Sequence, residues 1–201
     1  MTLAKLAAQL KCASQSRKIK RAMPALWLLS DTLLLADPLD ALRHLPPGSG
    51  FIFRHYDHPE REAMARILRR LCRQRRILFL LAGDWRMAVR LGADGAHFPE
   101  GLAHRARAMR ANSPHSIITV AAHSAGGVYR AYKSGAEGVL LSPLFATQSH
   151  PGAAALGPVR FAGLASRARL PVIALGGISA RNARRLKGSG AAGIAGVSGI
   201  V

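Results

Sequence analysis

Acidic residues are scarce in this chain: ten Asp and Glu stand against 29 Lys and Arg in 201 residues, a formal net charge of +19. An excess on that scale repels cationic partners and draws anions such as phosphates, nucleic acid or acidic lipid. Cysteine is scarcer still. Cys12 and Cys72 sit among basic residues with no CxxC and no Cys/His pairing, which excludes a disulfide framework and a cysteine zinc site and fits a reducing, cytoplasmic setting. Aromatic residues make up only 5%. None interleaves the arginine runs at 66–76 and 105–110, so those runs read as solvated helix faces and a nucleic-acid partner is not expected. The longest apolar run, residues 77–83, falls far short of the roughly 20 residues that cross a bilayer, and no membrane partner is expected either.

Apolar residues, by contrast, reach 49%, enough for one substantial core and too little chain for two ordinary enzyme domains. Apolar runs of strand length recur at 26–29, 51–53, 77–81, 95–98, 117–120, 138–141, 172–175 and 193–197. Stretches of helical period, such as 59–73 and 124–134, lie between them, and strand-then-helix repetition predicts parallel strands buried on both faces. Eight such units predict a closed α/β barrel, the TIM (β/α)8 arrangement. The competing open, doubly wound sheet lacks a GxGxxG after its first strand. The chain stops just past the eighth strand, so the helix that would close the barrel is missing from the pattern. Residues 1–21 hold Leu3, Leu6, Ala7, Leu10 and Ile19 with six cations and no acid. We read them as a basic helix in that vacant slot or as a flexible arm, with a transit peptide as a third reading, and residues 22–201 as the single barrel domain.

The sharpest local signal is a pair of strands that end in glycine: Pro171-Val172-Ile173-Ala174-Leu175-Gly176-Gly177, then Gly193-Ile194-Ala195-Gly196-Val197-Ser198-Gly199. At the carboxyl ends of barrel strands seven and eight such glycines let backbone N–H groups close on a phosphate. The alternative is a pair of plain tight turns.

These strands, together with Gly92-Ala93-Asp94-Gly95-Ala96-His97, Ser134-Gly135-Ala136-Glu137-Gly138-Val139 and Ser142-Pro143-Leu144-Phe145-Ala146-Thr147, resemble the thiamine-phosphate synthase and TenI family. The resemblance covers residues 26–201. It implies a TIM-type barrel that binds 4-methyl-5-hydroxyethylthiazole phosphate or a close relative, with backbone near Gly176, Gly177, Ser198 and Gly199 around the phosphate. Self-association stays open.

Two branches of that family do different work. The synthase branch joins a pyrimidine pyrophosphate to the thiazole phosphate and needs cations and Mg2+ for the leaving pyrophosphate. Its Arg-x-Lys pair becomes Arg54-His55-Tyr56, which keeps the arginine and loses the lysine. Its Asn-Asp pair becomes Gly83-Asp84, so Asp84 is the metal ligand that survives. Its second metal-binding aspartate is absent from Pro99-Glu100-Gly101-Leu102, its serine after strand five is Ala121, and the lysine of its Thr-x-Thr-Lys loop, where Thr147 lies, is His150. The TenI branch, a thiazole tautomerase, only shifts a proton and needs no metal cofactor. Its Ser-Val-His-Ser motif matches Ala121-Ala122-His123-Ser124, and its Leu-Pro is echoed by Phe98-Pro99.

The tautomerase reading is therefore favoured, with His123 as the proton shuttle, since imidazole acts as base and then acid near neutral pH. Synthases also carry a histidine here, and a helix-start histidine bonded to backbone would look the same. The divergent synthase, with Arg54, Asp84 and His150 keeping a reduced pyrophosphate site, comes second. A barrel that has lost catalysis and binds a phosphorylated ligand or nucleic acid comes third. His97 reads as a core residue; His55, His58, His104 and His115 read as surface or loop residues.

Overall fold

A computed structural model of the chain describes residues 3–14, 23–35, 37–147 and 152–197. Eight parallel strands close into a barrel in sequence order: β1 (Leu26–Leu29), β2 (Gly50–Phe53), β3 (Leu78–Ala82), β4 (Gly95–Phe98), β5 (Ile117–Ala122), β6 (Gly138–Leu141), β7 (Val172–Leu175) and β8 (Gly193–Gly196), with β8 pairing back onto β1. The predicted (β/α)8 barrel is thus the observed one. Helices α1 (Leu3–Ser14), α2 (Pro38–His44), α3 (Arg61–Gln74), α4 (Trp85–Arg90), α5 (Arg105–Asn112), α6 (Ala125–Lys133) and α7 (Gly157–Arg167) accompany the strands. Short 3-10 turns cover Glu100–Leu102 and Ala183–Leu186.

Alternation along each strand sorts side chains between two cores. Trp27, Leu29, Ile52, Leu80, Leu140 and Ile173 fill the barrel interior. Leu28, Phe51, Phe53, Phe79 and Leu81 face outward, under the helices. The registers depend on small residues where a ring passes. Gly50 pairs with Trp27, and a Cβ on Gly50 would fall 2.2 Å from the indole. That indole is fully buried and donates its Nε1–H to the Pro24 carbonyl at 2.7 Å.

Between β7 and β8 the described chain forms only the 3-10 turn Ala183–Leu186. Helix α1 lies against β8, β1 and that turn, burying Leu3, Leu6, Ala7 and Leu10. No helix among the described residues is long and apolar enough to cross a membrane.

Candidate active site

In a parallel barrel the loops after the strands gather polar groups at the carboxyl rim. Here that rim has three parts. At the ends of β1 and β2, buried Ser30 takes the Arg54 backbone N–H on its Oγ at 2.8 Å and the Arg54 Nε on its carbonyl at 2.8 Å. Arg54 Nη2 also meets Asp31 Oδ2 at 2.9 Å. Burial lowers the guanidinium's pKa first and Asp31 partly restores it, so Arg54 is held by its own neighbours. His55, read as a surface or loop residue, lies in the loop after β2 but is buried there: Nδ1 lies 2.9 Å from Ser30 Oγ, and the ring stacks on Phe53 at 5.2 Å.

At the ends of β2 and β3, Tyr56 stands where the synthase lysine would be, 46% exposed. A cation nevertheless enters from α3. Arg61 donates from Nη2 to the Ala82 carbonyl at 2.6 Å, lies 5.5 Å over the Tyr56 ring, and buries its Nε without a hydrogen-bond partner. Asp84 caps α4, accepting the Met87 N–H at 3.0 Å. Asp84 and Arg61 interact electrostatically, which partly offsets the lowering of the Arg61 pKa by burial.

Across the rim, the third part carries His123, Glu100 and Ser142. The His123 Nδ1 lies 2.9 Å from the Ser142 carbonyl oxygen and 3.3 Å from its Oγ. A carbonyl only accepts, so Nδ1 carries a proton, and in the neutral ring the lone pair is on Nε2. Glu100 accepts the His123 backbone N–H at 2.9 Å and pairs with Arg130, fixing the start of α6. The loop past Ser142 then reaches β7: Leu144 N–H donates to the Leu175 carbonyl at 2.8 Å and Phe145 N–H to the Gly176 carbonyl at 3.1 Å. Gly176 and Gly177 both have left-handed φ, 98° and 64°. A Cβ on Gly177 would sit 2.3 Å from the Ala146 carbonyl oxygen, so glycine is required. Asn182 ties this turn, donating Nδ2 to the Gly177 carbonyl at 2.7 Å and accepting the Ser179 N–H at 2.9 Å.

His123, Gly176 and Gly177 therefore share one connected segment of the rim, while Arg54 and Asp84 lie on the β1–β3 part. Thr147 is half-buried in the loop after β6. His150, Ser198 and Gly199 lie outside the described residues. Inside the barrel His97 sets Nδ1 2.9 Å from Thr119 Oγ1; burial, with Arg54 second, pushes its pKa down to about 3, so it stays neutral. Burial pushes the Cys72 thiol up to about 12, which removes it as a nucleophile. Among the described residues no group of three or more His, Cys, Asp and Glu could hold a metal ion. Asp84 is committed in part to its cap and Glu100 to His123 and Arg130, so the residues do not fit a two-carboxylate Mg2+ site.

A parallel (β/α)8 barrel with its polar groups on the carboxyl rim is the class that fold and site define. The family model described as thiamine monophosphate synthase matches residues 42–200, and the chain belongs to that family, one of thiamine biosynthesis. A thiamine-phosphate synthase of Geobacillus thermodenitrificans is 34% identical over 143 residues, covering 70% of this chain and 64% of that protein. One of Bacillus velezensis is 29% identical over 195 residues, covering 92% and 87%. Thiamine phosphate pyrophosphorylase from Pyrococcus furiosus shares the fold with a TM-score of 0.75 at 23% identity, covering 87% of this chain and 86% of that one.

Proposed function

We propose that this barrel binds a thiazole phosphate at the β7–β8 rim and moves a proton on its ring, with His123 as the acid–base group. The observation that carries this reading is the Nδ1 bond to the Ser142 carbonyl, which in the neutral ring leaves Nε2 as the nitrogen able to take a proton. In a tautomerisation that nitrogen takes a proton from one ring position and returns one to another, so charge and atoms balance without metal or leaving group. Gly176 and Gly177 supply the close backbone approach that a phosphate needs. Ser198 and Gly199 would complete that cradle, and Thr147 and His150 would line its β6 side.

A second reading has one specific observation in its favour: the relatives carry the name thiamine-phosphate synthase, one of them along 92% of this chain. In that case Arg54, Arg61 and Asp84 would face the pyrophosphate. Against it stand the loss of the lysine at Tyr56 and the engagement of Arg54 by Asp31. Purified protein offered each substrate set distinguishes the two. Aromatisation of the thiazole carboxylate phosphate without Mg2+ supports the first reading; thiamine phosphate formed from pyrimidine pyrophosphate and thiazole phosphate supports the second. Turnover of neither leaves the binding barrel.

A further inference from the structure

On the outer wall, residues of α6 and α7 line a groove. Its floor is aliphatic, from Ala125, Val128, Leu164 and Ala168. Tyr129 and Tyr132, 62% and 37% exposed, line it together with Arg167 and Arg169, and the Arg169 guanidinium lies 5.6 Å over the Tyr132 ring. Tyrosine and arginine around an aliphatic floor is the composition of a protein-binding hot spot rather than of a solvated helix face.

Charge then narrows the occupant. Residues 101–201 contain twelve Lys and Arg and a single acid, Glu137. Glu137 is already committed, pairing with Arg110 and accepting the Ile118 N–H at 2.7 Å. No acidic side chain in this half of the chain is left to answer the cationic rim of the groove. A second copy has few acids to offer it. Asp37 and Asp84 cap helices, Asp94 accepts the Phe79 N–H, and Asp31, Glu62 and Glu100 pair with arginines. Only Asp40, Asp57 and Glu60 remain beside them, all before α3, on a molecule that carries +19. A concave floor of aliphatic side chains also suits leucine-like anchors better than stacked bases, which need flat aromatic platforms.

We infer that the α6–α7 groove docks an acidic amphipathic helix of a partner protein, its apolar stripe on the floor and its carboxylates against Arg167 and Arg169. This site is independent of the chemistry at the rim. The probe is a labelled four-turn peptide with leucine at i, i+3, i+4 and i+7 and glutamate on both flanks, read by anisotropy in about 0.15 M salt. Wild-type full chain should bind it, and Tyr129→Ala and Arg169→Glu should each weaken binding by about tenfold or more, as hot-spot substitutions do. Arg70→Glu on α3 removes the same charge elsewhere and should leave binding unchanged, with all variants melting as wild type. Equal losses from Arg169→Glu and Arg70→Glu would reduce the effect to bulk charge and overturn the proposal. Equal binding of a scrambled peptide, or Tyr129-dependent binding of an oligonucleotide in preference to the peptide, would overturn it too.

Discussion

The Nδ1 of His123 donates to the backbone carbonyl of Ser142 at 2.9 Å, joining the ends of β5 and β6. A backbone partner cannot be lost by mutation and cannot donate to Nδ1, so the bond aims the ring and, in its neutral form, keeps the lone pair on Nε2. His123→Ala should lower tautomerisation by roughly 100-fold or more while thiazole-phosphate affinity stays near wild type. Steady-state kinetics beside a binding titration measure both. A variant that loses affinity and keeps its turnover number would assign His123 to binding instead.

Glu100 reaches the same histidine through the backbone. Its carboxylate accepts the His123 N–H, and a Cβ on Gly127 would fall 2.8 Å from it. Loss of that support lets the β5–α6 loop drift, and misplacement by about 1 Å is worth up to 100-fold in rate. Glu100→Ala should therefore lower kcat by about tenfold with KM little changed, and Glu100→Gln, which still accepts the N–H, should restore most of it. Gly127→Ala should resemble Glu100→Ala, because the added methyl displaces the carboxylate.

The strand pattern was readable because parallel strands buried on both faces leave continuous apolar runs; β1, β4, β6 and β7 lie where those runs lie. Ends were less readable. β5 continues through Ala121 and Ala122, and β2 begins at Gly50, a residue chosen by the Trp27 ring rather than by strand propensity. His123 was visible through its motif. Arg61, Glu100 and the Asp31–Arg54 pair were not, since Arg61 meets Ala82 and Glu100 meets His123 only after the barrel closes. His55 was readable as a loop residue but its burial was not, because Ser30 reaches it from the end of β1 only once β1 and β2 pair.

Stability should fall with acid through His97. The native state keeps this ring neutral down to about pH 3, whereas an unfolded histidine takes up its proton near pH 6.5. Between those values the unfolded chain binds more protons, so stability is complete above about pH 6.5 and declines as the pH drops, by on the order of 1.4 kcal/mol per unit. His55, also lowered by burial, acts in the same direction. Above about pH 5 exposed carboxylates remain ionised, so the histidines dominate that window. Melting curves of His97→Gln should show a shallower loss between pH 6.5 and 5 than wild type; parallel curves would remove His97 as the cause.

Gly50→Ala tests the interior packing. The new methyl would meet the Trp27 ring at 2.2 Å, where real contacts do not occur, and Trp27 is held by Pro24 and cannot swing aside. Overpacking of this kind costs roughly 1–3 kcal/mol. Denaturant unfolding should report that loss, and Trp27→Leu in the same chain should recover part of it, since it empties the space the methyl needs. A double variant no better than the single one would locate the strain elsewhere.

Helix α1 provides the last test, because it packs directly against β1, β8 and the Ala183–Leu186 turn. Leu6 and Ala7 are each 1% exposed and Leu3 and Leu10 are buried beside them, against β1, β8 and the Ala183–Leu186 turn. Burying three leucines is worth on the order of 5–9 kcal/mol before chain entropy is subtracted, comparable with the net stability of a whole domain. The same packing leaves β8 next to the rim where the phosphate is proposed to sit. Leu6→Ala should therefore cost roughly 2–5 kcal/mol, the range for a core leucine cut back to a methyl. Removal of residues 1–21 should lower the melting temperature further and weaken thiazole-phosphate binding, since β8 then loses its cover. If the truncated chain melts with wild type, the segment is an arm whose contacts contribute no net stability. If it melts lower yet binds as before, α1 stabilises the barrel without shaping the β8 end of the rim.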